Sequence, residues 1–216
     1  MKVPLSWLKD YVSITLPVEE LAERLTLAGL EVERIEYVGV APARRAEVHS
    51  SQAANESVQH AGLAWDRDKI VIAQIVEVRP HPNADRLVLA DVDHGGQETH
   101  QVVTGAPNLF HLKGQGRLED GPKVVFAKEG STLYDGHQPG WVPVTLKPAR
   151  LRGVMSDSMV CSEKELGLSD EHEGILILDD DAPVGAPAAD VLGDAVLDVA
   201  ILPNIARAMS STTSPR

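Results

Sequence analysis

The sequence predicts an α+β chain built around a small β-barrel. Three observations carry that expectation. Five short runs of strand-forming residues crowd into residues 69–150, one helical repeat of apolar residues occupies 18–28, and apolar and charged residues alternate over 30–38. Hydrophobic residues make up 43% of the 216 and aromatic residues only 4%, so the core must be built from Val, Leu, Ile and Ala.

Ser6 is placed to accept a hydrogen bond from the free N–H groups of a first turn running Trp7 to Val12. Pro17 suits the first position of a second helix, where Glu19 and Glu20 favour the positive end of the dipole. Val18, Leu21, Leu25 and Ala28 recur at helical spacing, and Gly29 stands where a left-handed terminator belongs. Leu30 to Val38 then reads as a half-buried strand. Residues 41–66 are polar and nearly free of large apolar side chains, which predicts a linker or surface loop in which Arg44 and Arg45 are solvated charge.

The barrel strands are expected at Lys69–Arg79, Leu87–Asp93, His100–Thr104, Lys123–Lys128 and Val142–Lys147, with irregular connections at 108–120 and 129–140. Five strands in about eighty residues suit an OB-fold, and an SH3-like barrel fits the count equally well. Ser162-Glu163-Lys164-Glu165 forms a capping box opening a short helix that Gly167 ends. Gly174 to Leu178 is an apolar strand run, and residues 205–216, with nothing to bury, are expected to be a disordered tail.

The net charge of −12 is unevenly spread. Residues 1–66 carry 6 Lys/Arg against 10 Asp/Glu, residues 67–160 carry 11 against 11, and residues 161–216 carry 3 against 11. A broad phosphate-neutralising surface is therefore excluded at both ends and open only to the middle. In that middle span the available rings are Phe110, Phe126, Tyr134 and Trp141, and Phe126 falls on a strand where core is the default. No run approaches the eighteen apolar residues of a membrane helix, and the N-terminus carries no secretory signal. The single cysteine, Cys161, fits a reducing compartment, so a cytoplasmic protein with no membrane partner is expected.

No phosphate-binding glycine loop, nucleophile elbow, metalloprotease helix or paired-cysteine motif occurs, so this segment is expected to have no catalytic residue and no cofactor of its own. His81, His94, His100, His111 and His137 match no zinc spacing. Cys161 has no His partner nearby and reads as a small buried residue. Glu163, Glu165 and Asp179 to Asp181 read as capping and solvated charge.

The informative stretch is Val78-Arg79-Pro80-His81-Pro82-Asn83-Ala84-Asp85-Arg86-Leu87, between the first two barrel strands. Its two prolines stop strand pairing and fix the loop's direction, and Arg79 and Arg86 bracket it with cations. Arg79 and Arg86 toward phosphates, with His81 and Asn83 toward sugars or base edges, are the candidate RNA-binding residues. Turn chemistry without any ligand explains the same residues.

The chain resembles the N-terminal part of the bacterial phenylalanyl-tRNA synthetase beta subunit. The resemblance rests on Met1 to Val12, Gly29-Leu30-Glu31-Val32-Glu33, Pro80 to Leu87, Thr104-Gly105-Ala106-Pro107-Asn108, Leu151-Arg152-Gly153-Val154-Met155-Ser156 and Cys161 to Ser169. These blocks follow the family's order and cover the chain to about residue 204. The resemblance implies an OB-fold tRNA-binding-type barrel at 67–149 inserted in a small discontinuous α/β domain made of 1–40 and 150–200. The strand runs at 31–38 and 174–178, each lacking a local partner, agree with that arrangement. It further implies an α2β2 ligase that charges tRNA with phenylalanine using ATP and magnesium. The partners would be the alpha subunit, the remainder of the beta subunit and tRNA.

Two departures stand out. Ser156-Asp157-Ser158-Met159 replaces the family's usual Ser-x-Gly-Met turn, and Ile205-Ala206-Arg207 does not continue the Pro-Asn motif at Leu202-Pro203-Asn204 in the commonest way, which reads as a truncated frame. If the turn needs a positive φ, serine costs about 1 kcal/mol there. Two other functions fit the barrel: a purely structural module of the ligase, and a free-standing tRNA-binding protein. The N-terminal and Cys161–Ser169 blocks argue against the second, because a free-standing barrel needs neither.

Overall fold

The structure, a computed structural model, describes residues 1–42 and 60–201. The central part of the expected linker, with Arg44 and Arg45, and the expected tail at 205–216 lie outside the described residues. The chain is mixed α and β, mostly sheet with few helices, and divides into two compact units. One joins Met1–Gly62 to the segment from Asp194, and the other is Leu63–Gly193.

In the first unit the strand Asp194–Val199 lies between Lys2–Pro4 and Val32–Gly39, antiparallel to both. The expected strand at 30–38 thus finds its partner in Asp194–Val199, for which no strand was expected. Asp194–Val199 alternates like any half-buried strand: Ala195, Leu197 and Val199 are buried, and Leu197 sits opposite both Val3 and Ile35. Helix Val18–Leu27 covers the sheet with Val18 and Ala22, and Leu21 and Leu25 pack at the edge of the same core. Ala28, expected on that apolar face, is exposed at the helix C-cap, followed by Gly29 at φ 93°. The first helix runs Leu5–Tyr11 without a side-chain cap. Ser6 lies inside it, and its hydroxyl donates instead to the Asp194 carboxylate at 2.6 Å, a link across the whole sequence.

The second unit holds all five expected strands within a residue or two, but the fifth pairs elsewhere. An antiparallel sheet runs Met159–Val160, Lys123–Ala127, Ile70–Pro80, Val88–Asp93, His100–Thr104, with Ile177–Leu178 also on Lys123–Ala127. The strand Pro143–Thr145 pairs instead with Thr132–Tyr134, a strand inside an expected irregular connection. The other such connection holds the 3-10 helix Pro107–Leu112. Among the described residues the two end strands of the large sheet share no ladder. Val160 and Met159 form too short a strand to close it, and the ends meet through a side chain: the Val103 amide donates to Ser156 Oγ at 3.2 Å, which donates to the Ser158 carbonyl at 2.9 Å.

The unit's core is aliphatic as composition requires, with Val71, Ala73, Ile75, Val78, Val88, Val92, Val102, Leu109 and Phe126 buried together. Val71, Ala73 and Ile75 keep the strand period, and Val78 breaks it. The register shifts between Ile75 and Glu77, so a bulge at Val76 returns Val78 to the core side. Residues 150–193 thus belong to this unit and not, as expected, with the N-terminal segment, because their short strands pair among themselves or with Lys123–Ala127.

Candidate nucleic-acid interface

Of the four predicted RNA-binding residues, Arg79, His81 and Asn83 are already engaged by protein. Arg79 Nη2 lies 2.7 Å from both Asp91 carboxylate oxygens on the paired strand and donates to Gln101 Oε1 at 3.1 Å. Its charge is neutralised within the sheet face, so it offers little to a phosphate. His81 is buried, only 6% exposed. Its Nε2 faces the Leu151 carbonyl at 3.2 Å and its Nδ1 accepts from the Asn83 amide at 3.1 Å, which fixes the Nε2–H tautomer. Asn83 Nδ2 donates to the Arg152 carbonyl at 3.0 Å. Arg86 is exposed and makes no ion pair with a described residue. The Pro80 to Leu87 loop is thus anchored by His81 and Asn83 onto a second element.

That element is the hairpin Ala149–Leu151 and Val154–Ser156. Its connection is the pair Arg152-Gly153, with φ 47° and 97°. Positive φ at both central residues makes a type I′ turn, whose first position favours Asn, Asp or Gly. Among the described residues Arg152 is the only non-glycine with positive φ, a conformation that costs on the order of 1 kcal/mol for a residue with a Cβ. Exposed Lys147, Arg150 and Arg152 lie within six residues of one another, and none makes an ion pair with a described residue. These three cations form a short basic run in an acidic chain, a signal legible in the sequence.

Behind the hairpin lies a cleft of about 500 Å³ lined by Thr104, Lys147, Leu151, Ser158, Met159 and Glu165 among others. Its floor is structural. Ser158 does not take a positive φ, so serine in place of glycine brings no backbone strain to the turn. Asp157 accepts from His100 at 2.7 Å, and that bond holds its carboxyl below the usual range. The Ser162–Glu165 capping box forms as the sequence predicts, with Gly167 as left-handed cap, and burial pushes the Glu165 carboxyl up. Cys161 is fully buried; burial and the Glu165 charge push its thiol well up, so it stays a protonated packing residue.

The two stretches that match a known family fall on these elements. A family model described as "Putative tRNA binding domain" matches residues 70–128 and 136–187. The chain belongs to this tRNA-binding-domain family. The first stretch of the family domain covers the four longer strands of the large sheet and the Pro80 to Leu87 loop, and the second covers the hairpin, the two short strands of that sheet and the capping-box helix.

The expected resemblance to the beta subunit also holds. The chain is 48% identical over 205 residues to a phenylalanine–tRNA ligase beta subunit of Dehalococcoides mccartyi, covering 94% of this chain and 21% of that protein. A subunit of the same name from Salinibacter ruber is 39% identical over 214 residues, covering 94% and 22%. The chain therefore spans about a fifth of the length of the curated relatives it matches, and corresponds to their N-terminal portion. Among solved structures, a MetRS-related protein of Pyrococcus horikoshii aligns with 55% of this chain and 87% of its own, at a TM-score of 0.34 and 19% identity.

Among the described residues no group of three or more His, Cys, Asp or Glu side chains is placed to hold a metal ion. No step through ATP or magnesium is assigned to this segment. No helix among the described residues is long and apolar enough to cross a membrane.

Proposed function

We propose that this chain is the N-terminal tRNA-binding and scaffolding segment of a phenylalanine–tRNA ligase beta subunit. In the complete α2β2 enzyme it contributes to ATP-dependent charging of tRNA with phenylalanine, in the cytoplasm, while the catalytic groups come from elsewhere. The alpha subunit and the rest of the beta subunit are its protein partners. The sheet order, with the end strand His100–Thr104 linked through Ser156 to the Ser158 carbonyl just before the other end strand, supports reading residues from Ile70 onward as an OB-fold barrel that carries the RNA contact.

One observation carries the RNA reading. The His81–Leu151 and Asn83–Arg152 bonds bring the loop and the hairpin together, so that Arg86, Arg150 and Arg152 stand exposed on adjoining elements, with Lys147 just before the hairpin. Asn83 shares in the contact, and Arg79 and His81 support it from beneath. The test is tRNA titration at several salt concentrations, comparing wild type with the combined substitution Arg86→Ala, Arg150→Ala and Arg152→Ala. The triple variant should bind weakly and its log-log salt slope should shrink by about 2–3, whereas Arg79→Ala should leave the slope unchanged. Equal slopes for wild type and triple variant would favour a purely structural module.

A further inference from the structure

Trp141 is 46% exposed, and it is not a loose ring. It packs edge-on against Tyr134, with centroids 5.2 Å apart and planes at 64°. Tyr134 is itself fixed: its hydroxyl accepts from the Leu63 amide at 3.3 Å, and its ring lies so close to Gly167 that a Cβ there would come within 2.7 Å of it. Gly167 is thus required twice, for its φ of 79° and for this approach. The result is a held aromatic surface with a free side.

From Trp141 the chain runs through strand Pro143–Thr145 to Lys147 and then strand Ala149–Leu151 to Arg150 and Arg152. Every residue from Trp141 to Arg152 except Leu146 is exposed, and Val142 and Val144 add apolar surface beside the ring. An exposed ring followed along an extended backbone by cations without acidic partners suits an unstacked base followed by its phosphates. A duplex keeps its bases stacked and shows such a ring only backbone and groove.

We propose that the Trp141 to Arg152 segment holds an unpaired stretch of RNA, with one base stacked on Trp141 and neighbouring phosphates on Lys147, Arg150 and Arg152. The proposal rests on the RNA-binding reading and narrows it to single strands. An acidic protein surface would be the other occupant of such a patch. RNA is favoured because the exposed aromatic face adds base stacking to the charge complementarity, and because the turn holds Arg152 in a strained conformation at the tip.

The test uses the 216-residue chain with two probes: a fluorescein-labelled twelve-nucleotide RNA without self-complementarity, and the same strand annealed to its complement. Anisotropy titrations of both are run at several salt concentrations. The single strand should bind at least about tenfold tighter than the duplex. Trp141→Ala should cost about tenfold in single-strand affinity without changing the salt slope, since a base contact and no phosphate contact is lost, and Trp141→Phe should recover most of the loss. Equal affinity for the two probes, or an unchanged Trp141→Ala, would overturn the stacking proposal and leave RNA binding standing. If neither probe binds at low salt, the RNA-binding reading falls with it and a protein partner takes the patch.

Discussion

Replacing Leu197 with alanine should destabilise the first unit by about 2–5 kcal/mol, the range for a buried leucine whose cavity cannot fully collapse. Leu197 is fully buried, on the middle strand of the sheet, opposite Val3 on one side and Ile35 on the other. Ala22 and Val18 of the helix Val18–Leu27 belong to the same core, so the lost volume is felt on the helix as well. Native-state hydrogen exchange is the measurement. Amides of Val32–Gly39 should lose protection, and those of Ile70–Pro80 should keep it, because the two strands lie in different compact units. Equal loss in both strands would show that the chain opens as one cooperative body.

In the second unit the largest effect is expected at Phe126, where substitution by alanine should cost about 3–5 kcal/mol. The ring is 1% exposed. It stacks on His94 at 5.2 Å with planes 9° apart and meets His100 at 5.5 Å in a tilted contact. Its fully buried neighbours are aliphatic, and the other phenylalanine of this core, Phe110, is only partly buried. Its strand also pairs Ile70–Pro80 on one side and Met159–Val160 on the other, so the cavity opens at the middle of the ladder. Denaturant unfolding read through the fluorescence of buried Trp65, whose indole nitrogen donates to the Leu166 carbonyl at 3.2 Å, reports this unit directly. A midpoint shift worth less than about 1 kcal/mol would mean the core repacks around the gap.

Much of this architecture was legible where the signal is local. The helix at Val18–Leu27, the five strand positions and the Ser162–Glu165 capping box each depend on residues a few places apart, and each stands within a residue or two of its expected place. What failed was pairing, which is decided by residues far apart. Ser6 looked like a local cap, yet its partner is Asp194. The segment 174–178 looked like the partner-seeking strand of the first unit, yet it joins Lys123–Ala127, and Asp194–Val199 takes the central place.

The candidate site shows the same division. Reading Arg79 as a phosphate contact treated it as a loop cation, and only the fold reveals Asp91 two residues along the paired strand from Leu89, its register partner. The hydrogen bonds of His81 and Asn83 reach the hairpin turn about seventy residues on, which no loop-level argument can foresee. The basic run of Lys147, Arg150 and Arg152 is readable in sequence, but the turn is not, because Arg152-Gly153 lacks at its first position the Asn, Asp or Gly that announces a type I′ pair.

RNA should lie on the loop and hairpin of the second unit, and ultraviolet cross-linking of tRNA carrying 4-thiouridine to the 216-residue chain, followed by mass-spectrometric mapping of the linked peptides, reads its position. The expected result is cross-links within residues 79–86 and 141–156, competed away by unlabelled tRNA and weakened by salt. Cross-links confined to residues 1–39, or labelling that unlabelled tRNA does not compete, would contradict it.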